Sequence, residues 1–179
     1  MTRLKPYGKM NTLLACIKEI IFEGNLALVV LDSPIGELSA LIIYTQERWE
    51  KGQRVKVLFK QTELLIFAPF ESGAFETNKN PKKLESTNLA RVCSTQNCFL
   101  QKVEAIQKDS ILSLVRFASL DSLHSFADFQ AHTNTNTQDS HISALIATKD
   151  LEHLESLGLR EGEKCAWCVN PTHILLERL

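Results

Sequence analysis

The chain has 179 residues, of which 44% are hydrophobic and 23% charged, and its formal net charge is -1. That length suits one ordinary domain or two small ones, and the composition excludes disorder throughout. A nearly neutral chain carries no whole-molecule field to gather nucleic acid or acidic lipid, so any anion site must be built locally.

Residues 1–10 are polar and basic and read as an extended lead-in. Lys18 and Glu19 interrupt the first apolar stretch, and no run approaches the roughly 20 apolar residues that span a bilayer. Five cysteines is an odd count, which speaks against a secreted disulfide scaffold. The expectation is a soluble, cytoplasmic protein without membrane insertion.

From Asn11 two apolar runs flank Glu23-Gly24-Asn25 and predict a hairpin. A second turn, Ser33-Pro34-Ile35-Gly36, leads into ELSALIIY. A polar stretch at 45–51 predicts one helical turn with Thr45 as its N-cap. RVKVLFK and ELLIFAP then complete about five short strands. Residues 70–92, rich in Ser, Thr, Asn, Lys and Pro, predict a linker.

After Cys93 the pattern returns. At an offset of 86, Asn11 falls on Asn97, Leu14 on Leu100, Ile20 on Ile106 and Val29 on Val115. SALI at 39–42 recurs at 143–146, and KGQRVKVLFKQTELLIF at 51–67 is echoed by EGEKCAWCVNPTHILLE at 161–177, an offset of 110. Gly52 thus meets Gly162, Thr62 meets Thr172 and Leu65 meets Leu175. Such self-similarity marks a duplicated fold. The extra length of the second copy falls in an insertion at about 118–141 and in a predicted helix at 150–157, closed by Gly158. The units are a first at 8–69, the linker at 70–92 and a second at 93–179. One such unit alone buries only about 60% of its unfolded surface, so two units, or an oligomer, are expected to share apolar surface.

A unit with an Asn-led first strand, a central S/A-A-x-I strand, a short helix, an LGL-x-x-G turn and a Lys/Asn-x-Thr break before its last strand resembles a Mop unit of the TOBE family of molybdate-binding domains. The passage at 157–176, LGLREGEKCAWCVNPTHILL, carries the likeness most fully. The resemblance implies an all-β protein of two tandem OB-like five-stranded barrels, each with one short helix, as in di-Mop proteins. It implies noncovalent binding of molybdate or tungstate, without an organic cofactor, at interfaces of a homodimer or homotrimer. Storage, homeostasis or control of molybdate uptake would be the role, and a molybdate transporter ATPase a partner.

A tetrahedral dianion needs several N–H and O–H donors and a positive charge to offset desolvation. Carried over from the family, the oxyanion-binding candidates are Lys60, Thr62, Ser94, Asn97, Asn11, Thr172 and Lys9, with Asn11 and Asn97 also read as structural residues that fix the entry to the first strand. A composite site would set Ser94 and Asn97 of one unit against Lys60 and Thr62 of another. The chain departs from the family pattern at Gln96, where Arg is expected, at Asn170-Pro171, where Lys is expected, and at Ile43 and Ala147, where Thr is expected. Those departures favour an alternative, a degenerate pair acting as a protein-interaction or regulatory module without its own ligand. Oligonucleotide binding on the OB-like face is a third reading, opposed by the neutral charge and the lack of a basic aromatic stripe.

Cys165-Ala166-Trp167-Cys168 is read as packing. Strand positions three apart point to opposite faces, so the two sulfurs diverge, and nothing completes a zinc site. Cys93 and Cys98 are expected as spare thiols in an exposed loop. The histidines at 124, 132, 141, 153 and 173 are scattered, and no catalytic constellation is recognisable, so no enzyme activity is expected.

Overall fold

The computed structural model describes residues 9–43, 49–67, 97–118 and 141–179. Ser94, Cys93, most of the helical turn expected at 45–51, the linker and nearly all of the insertion lie outside the described residues. Alternating apolar positions make the first copy β1 (Met10–Glu23), β2 (Leu26–Ser33), β3 (Gly36–Ile43) and β4 (Arg54–Lys60). A 3-10 turn (Gln61–Glu63) and β5 (Leu64–Phe67) follow. The second copy supplies β6 (Asn97–Lys108), β7 (Leu112–Phe117), β8 (Ser143–Ala147), α1 (Thr148–Ser156) and β9 (Lys164–Val169). A second 3-10 turn (Pro171–His173) and β10 (Leu175–Arg178) close it. The helix begins two residues before its expected start, and the Gly158 N–H donates to the Glu155 carbonyl at 3.0 Å beyond its end. The fold is two OB-like barrels, each built on a curled five-stranded sheet.

The duplication is visible at the level of single hydrogen bonds. The register of β1 against β2 slips between Ile17 and Glu19, and that of β6 against β7 slips between Val103 and Ala105, the same place at the offset of 86. A β-bulge here bends a long strand. β1 therefore pairs β4 over Met10–Cys16 and β2 over its other half. Gly52 and Gly162 hold φ of +84° and +90°, a region that residues with a Cβ rarely adopt. Their N–H groups donate to the Ile17 and Val103 carbonyls at 2.7 and 2.8 Å, and the N–H groups of those residues donate back to Gln53 and Glu163.

The units follow chain order, but the hydrogen bonding does not. One sheet runs β10-β4-β1-β2-β3 and the other β5-β9-β6-β7-β8. The last strand of each copy therefore completes the sheet of the other. β5 pairs β9 from Leu64 opposite Val169 to Phe67 opposite Ala166. β10 pairs β4 from Leu175 opposite Leu58 to Arg178 opposite Val55. The sequence repeat is blind to this exchange, because it reports which residues correspond and not which copy a strand joins.

The buried faces of both sheets meet in one apolar cluster that holds Leu13, Val29 and Val57 of the first copy and Val103, Val115 and Trp167 of the second. Trp167 is fully buried. Its ring lies 4.8 Å from Phe99, 5.9 Å from Phe117 and 6.1 Å from Phe59, centroid to centroid. Phe59 belongs to the other sheet. The indole N–H donates to Gln101 Oε1 at 2.8 Å, so the ring is buried without an orphan donor.

Cys98 is a buried residue of β6 rather than a spare thiol in an exposed loop, and it is joined in a disulfide to Cys168 of β9. The two stand directly opposite in register with Cα atoms 4.2 Å apart. Cys165 is unbonded, as divergent strand positions require, and burial pushes its thiol from the ordinary 9.0 up to about 12. The neutral thiol thus favours the folded state below pH 9, a contribution lost as pH rises toward 12. Peptide mapping of protein unfolded without reductant should recover Cys98 linked to Cys168. At pH 8 Cys165 should alkylate only after unfolding. Native-state alkylation at the rate of a free peptide thiol would contradict this packing.

Candidate functional site

Both polar breaks of the sequence become 3-10 turns that leave a strand and cross to the other sheet. Lys60 ends β4 opposite Met10, with extended backbone at φ -72° and ψ 146°. Its side chain is exposed, as is that of Thr62. Gln61 is buried, and its N–H donates to the Lys9 carbonyl at 3.3 Å. This turn packs against β8. In the second turn Asn170 caps the break. Its Oδ1 accepts from the Thr172 N–H at 3.0 Å and from the Thr172 hydroxyl at 2.8 Å. That turn packs against β3.

Asn11 and Asn97 perform matched structural tasks. The Asn11 amide donates to the Ser143 carbonyl at 2.9 Å and accepts from the Ser143 N–H at 2.8 Å. Asn97 does the same to Ser39, at 2.7 and 2.6 Å. Each first strand thereby clamps the central strand of the other copy, at the Ser of SALI, through a side chain that mimics a peptide group. Both asparagines are buried, at 3% and 0% exposure. Each amide thereby commits its oxygen and one of its two N–H donors to the backbone of the other copy. The Thr172 hydroxyl proton is likewise spent on Asn170.

Six of the seven candidates lie among the described residues, around the two turns. Lys9, Asn11, Lys60 and Thr62 gather where the first turn meets β8. Asn97 lies in the row Leu64–Val169–Asn97 and is tied to β3, against which the Thr172 turn packs. The turns nevertheless meet. His173 Nδ1 lies 2.8 Å from Glu63 Oε2, with both side chains partly exposed. These residues are 110 positions apart, the offset that relates the two copies, so they face each other across the pseudo-twofold relation. Sequence reasoning passed over this pair, and over Ser39 and Ser143 as clamp partners. The signal was present: the offset that equates Thr62 with Thr172 equates Glu63 with His173.

Among the described residues no three His, Cys, Asp or Glu side chains group as a metal site. Nor is any helix among them long and apolar enough to cross a membrane. An open groove lined by Ile106, Lys108, Glu155 and Arg160 contains none of the seven candidates.

No protein-family profile and no curated protein matches this sequence. Solved structures do match, and one is the cytoplasmic molybdate-binding protein ModG with molybdate bound. The likeness covers 94% of this chain and 96% of that one, with a TM-score of 0.64 and 14% identity. The paired OB-like architecture is thus shared over essentially the full length of both chains.

Proposed function

We propose that this protein binds molybdate or tungstate noncovalently in the cytoplasm and serves in their storage or in control of their uptake. The reading is of a tandem Mop-type binding protein, acting without an organic cofactor or catalysis as a homodimer or homotrimer. The observation that carries it is the near end-to-end likeness to a molybdate-bound protein. The donor chemistry of the first turn adds to it, with the exposed Lys60 ammonium and Thr62 hydroxyl beside Lys9. On this reading a composite site sets Ser94 and Asn97 of one unit against Lys60 and Thr62 of another, and at the second turn an arriving dianion must draw the Thr172 hydroxyl away from Asn170.

Isothermal titration with molybdate, using sulfate as control, tests the proposal. Lys60→Glu is expected to weaken binding by more than tenfold, on the order of 1.4 kcal/mol for one charge-assisted contact. Absence of heat from wild-type protein, with no metal oxyanion carried through gentle purification, would sink the reading.

A second reading has its own observations. Asn11 and Asn97 are occupied as clamps, and the second turn has Asn170-Pro171 in place of Lys and an N–H donor. On this view the pair is a regulatory module docking on a molybdate transporter ATPase. Co-purification with such an ATPase, independent of added oxyanion, would favour it.

A further inference from the structure

We infer that Glu63 and His173 form a charge gate between the two turns. Protonated His173 supplies the cation that the second turn lacks, and the Glu63 carboxylate is the internal counter-ion that a bound dianion displaces. This rests on the oxyanion-binding reading above and names its pH regulation.

The first turn reads Lys60-Gln61-Thr62-Glu63 and the second Asn170-Pro171-Thr172-His173. The second has lost its lysine and, at Pro171, a backbone donor, yet it alone carries an imidazole. Equivalent residues face each other across the pseudo-twofold relation, so two identical residues there would meet their own kind. An acid on one turn and a base on the other make the contact complementary. Nδ1 and Oε2 stand 2.8 Å apart. The His173 side chain is 47% exposed and that of Glu63 32%, so the pair opens to solvent at little cost in packing.

Histidine is the side chain whose charge changes near neutral pH. A doubly charged anion drawn to Lys60 and Lys9 is repelled by a carboxylate beside them. Protonated His173 adds a cation on the facing turn, and Glu63 swings to water as the dianion arrives. Other charges around the second turn are already engaged among the described residues. Glu37 on β3 pairs with Lys18, Glu177 on β10 pairs with Lys56, and Arg178 lies over the Trp49 ring. Glu63 is the charged group in direct contact with the imidazole, and Lys60 and Lys9 stand at the strand ends beside the same turn.

The test is molybdate titration calorimetry at pH 6.5 and pH 8.5 on full-length wild type, His173→Gln, His173→Lys and Glu63→Gln, each checked for fold by circular dichroism. Wild type is expected to bind about tenfold more tightly at pH 6.5, the worth of one charge-assisted contact. His173→Gln should bind weakly at both pH values, and His173→Lys tightly at both. Glu63→Gln should bind more tightly than wild type at pH 8.5, with the opposing carboxylate gone. A His173→Gln protein that keeps the wild-type pH dependence overturns the gate, as does a Glu63→Gln protein that binds more weakly. Wild-type heat that is equal at both pH values removes the gate and leaves the binding reading intact. No molybdate heat at either pH removes both.

Discussion

Trp167→Ala is expected to lower the folding free energy by about 3–5 kcal/mol, the usual cost of emptying a large aromatic site, and to weaken both sheets together. The ring is fully buried and touches aromatic side chains of each copy, Phe59 on β4 and Phe99 and Phe117 on β6 and β7. Its removal leaves a void that one half alone cannot close, and the Gln101 side-chain Oε1 loses its indole donor. Urea unfolding followed by far-UV circular dichroism measures the loss without relying on the missing fluorophore. One transition, shifted strongly to lower urea, is the expected result. Two resolved transitions, or a loss below about 1 kcal/mol, would mean that the shared core is not the cooperative unit.

Asn97→Ala should cost roughly 2–5 kcal/mol, although it deletes only a few atoms. The substitution removes no cation and no large apolar surface. It leaves the N–H and carbonyl of Ser39 buried with their side-chain partner gone, and each unsatisfied buried group costs about 1–3 kcal/mol. Asn11→Ala should behave alike, since it orphans Ser143 in the same way. The double variant tests whether the two clamps are coupled through the core. Hydrogen exchange gives the local readout: the Ser39 amide should lose its protection in Asn97→Ala, and the Ser143 amide in Asn11→Ala. If Asn97→Ala folds as stably as wild type while losing molybdate binding, the asparagine is a ligand and not a clamp.

These two residues also show what was legible in the sequence. The strands were readable because alternation at Leu13, Ala15 and Ile17 or at Val55, Val57 and Phe59 has one physical solution, a sheet with one buried face. The repeat was readable because Asn11 and Asn97, or Gly52 and Gly162, hold matched backbone tasks that restrict the residue type. A structural role for each Asn was readable, but the backbone it grips was not. An amide near a strand start looks the same whether it grips a ligand or a backbone, and its partner lies 132 positions away in one copy and 58 in the other. The Cys98–Cys168 pairing was hidden for a related reason. It depends on register between β6 and β9, which spacing within either segment does not set. His173 was passed over as one of five scattered histidines until the fold put it opposite Glu63.

The crossing of β5 and β10 bears on how such a chain can be inherited. A recombination event within 68–96 would look like a clean separation of two similar modules. The first product would keep β5, whose pairing partner β9 is gone, and would present the bare edge of β4 where β10 belonged. The second would carry β10 without β4 and leave β9 open. Exposed edges of this kind recruit other chains. The stretch between the copies is thus a seam in the sequence but not in the folded object, and the halves are constrained to descend together.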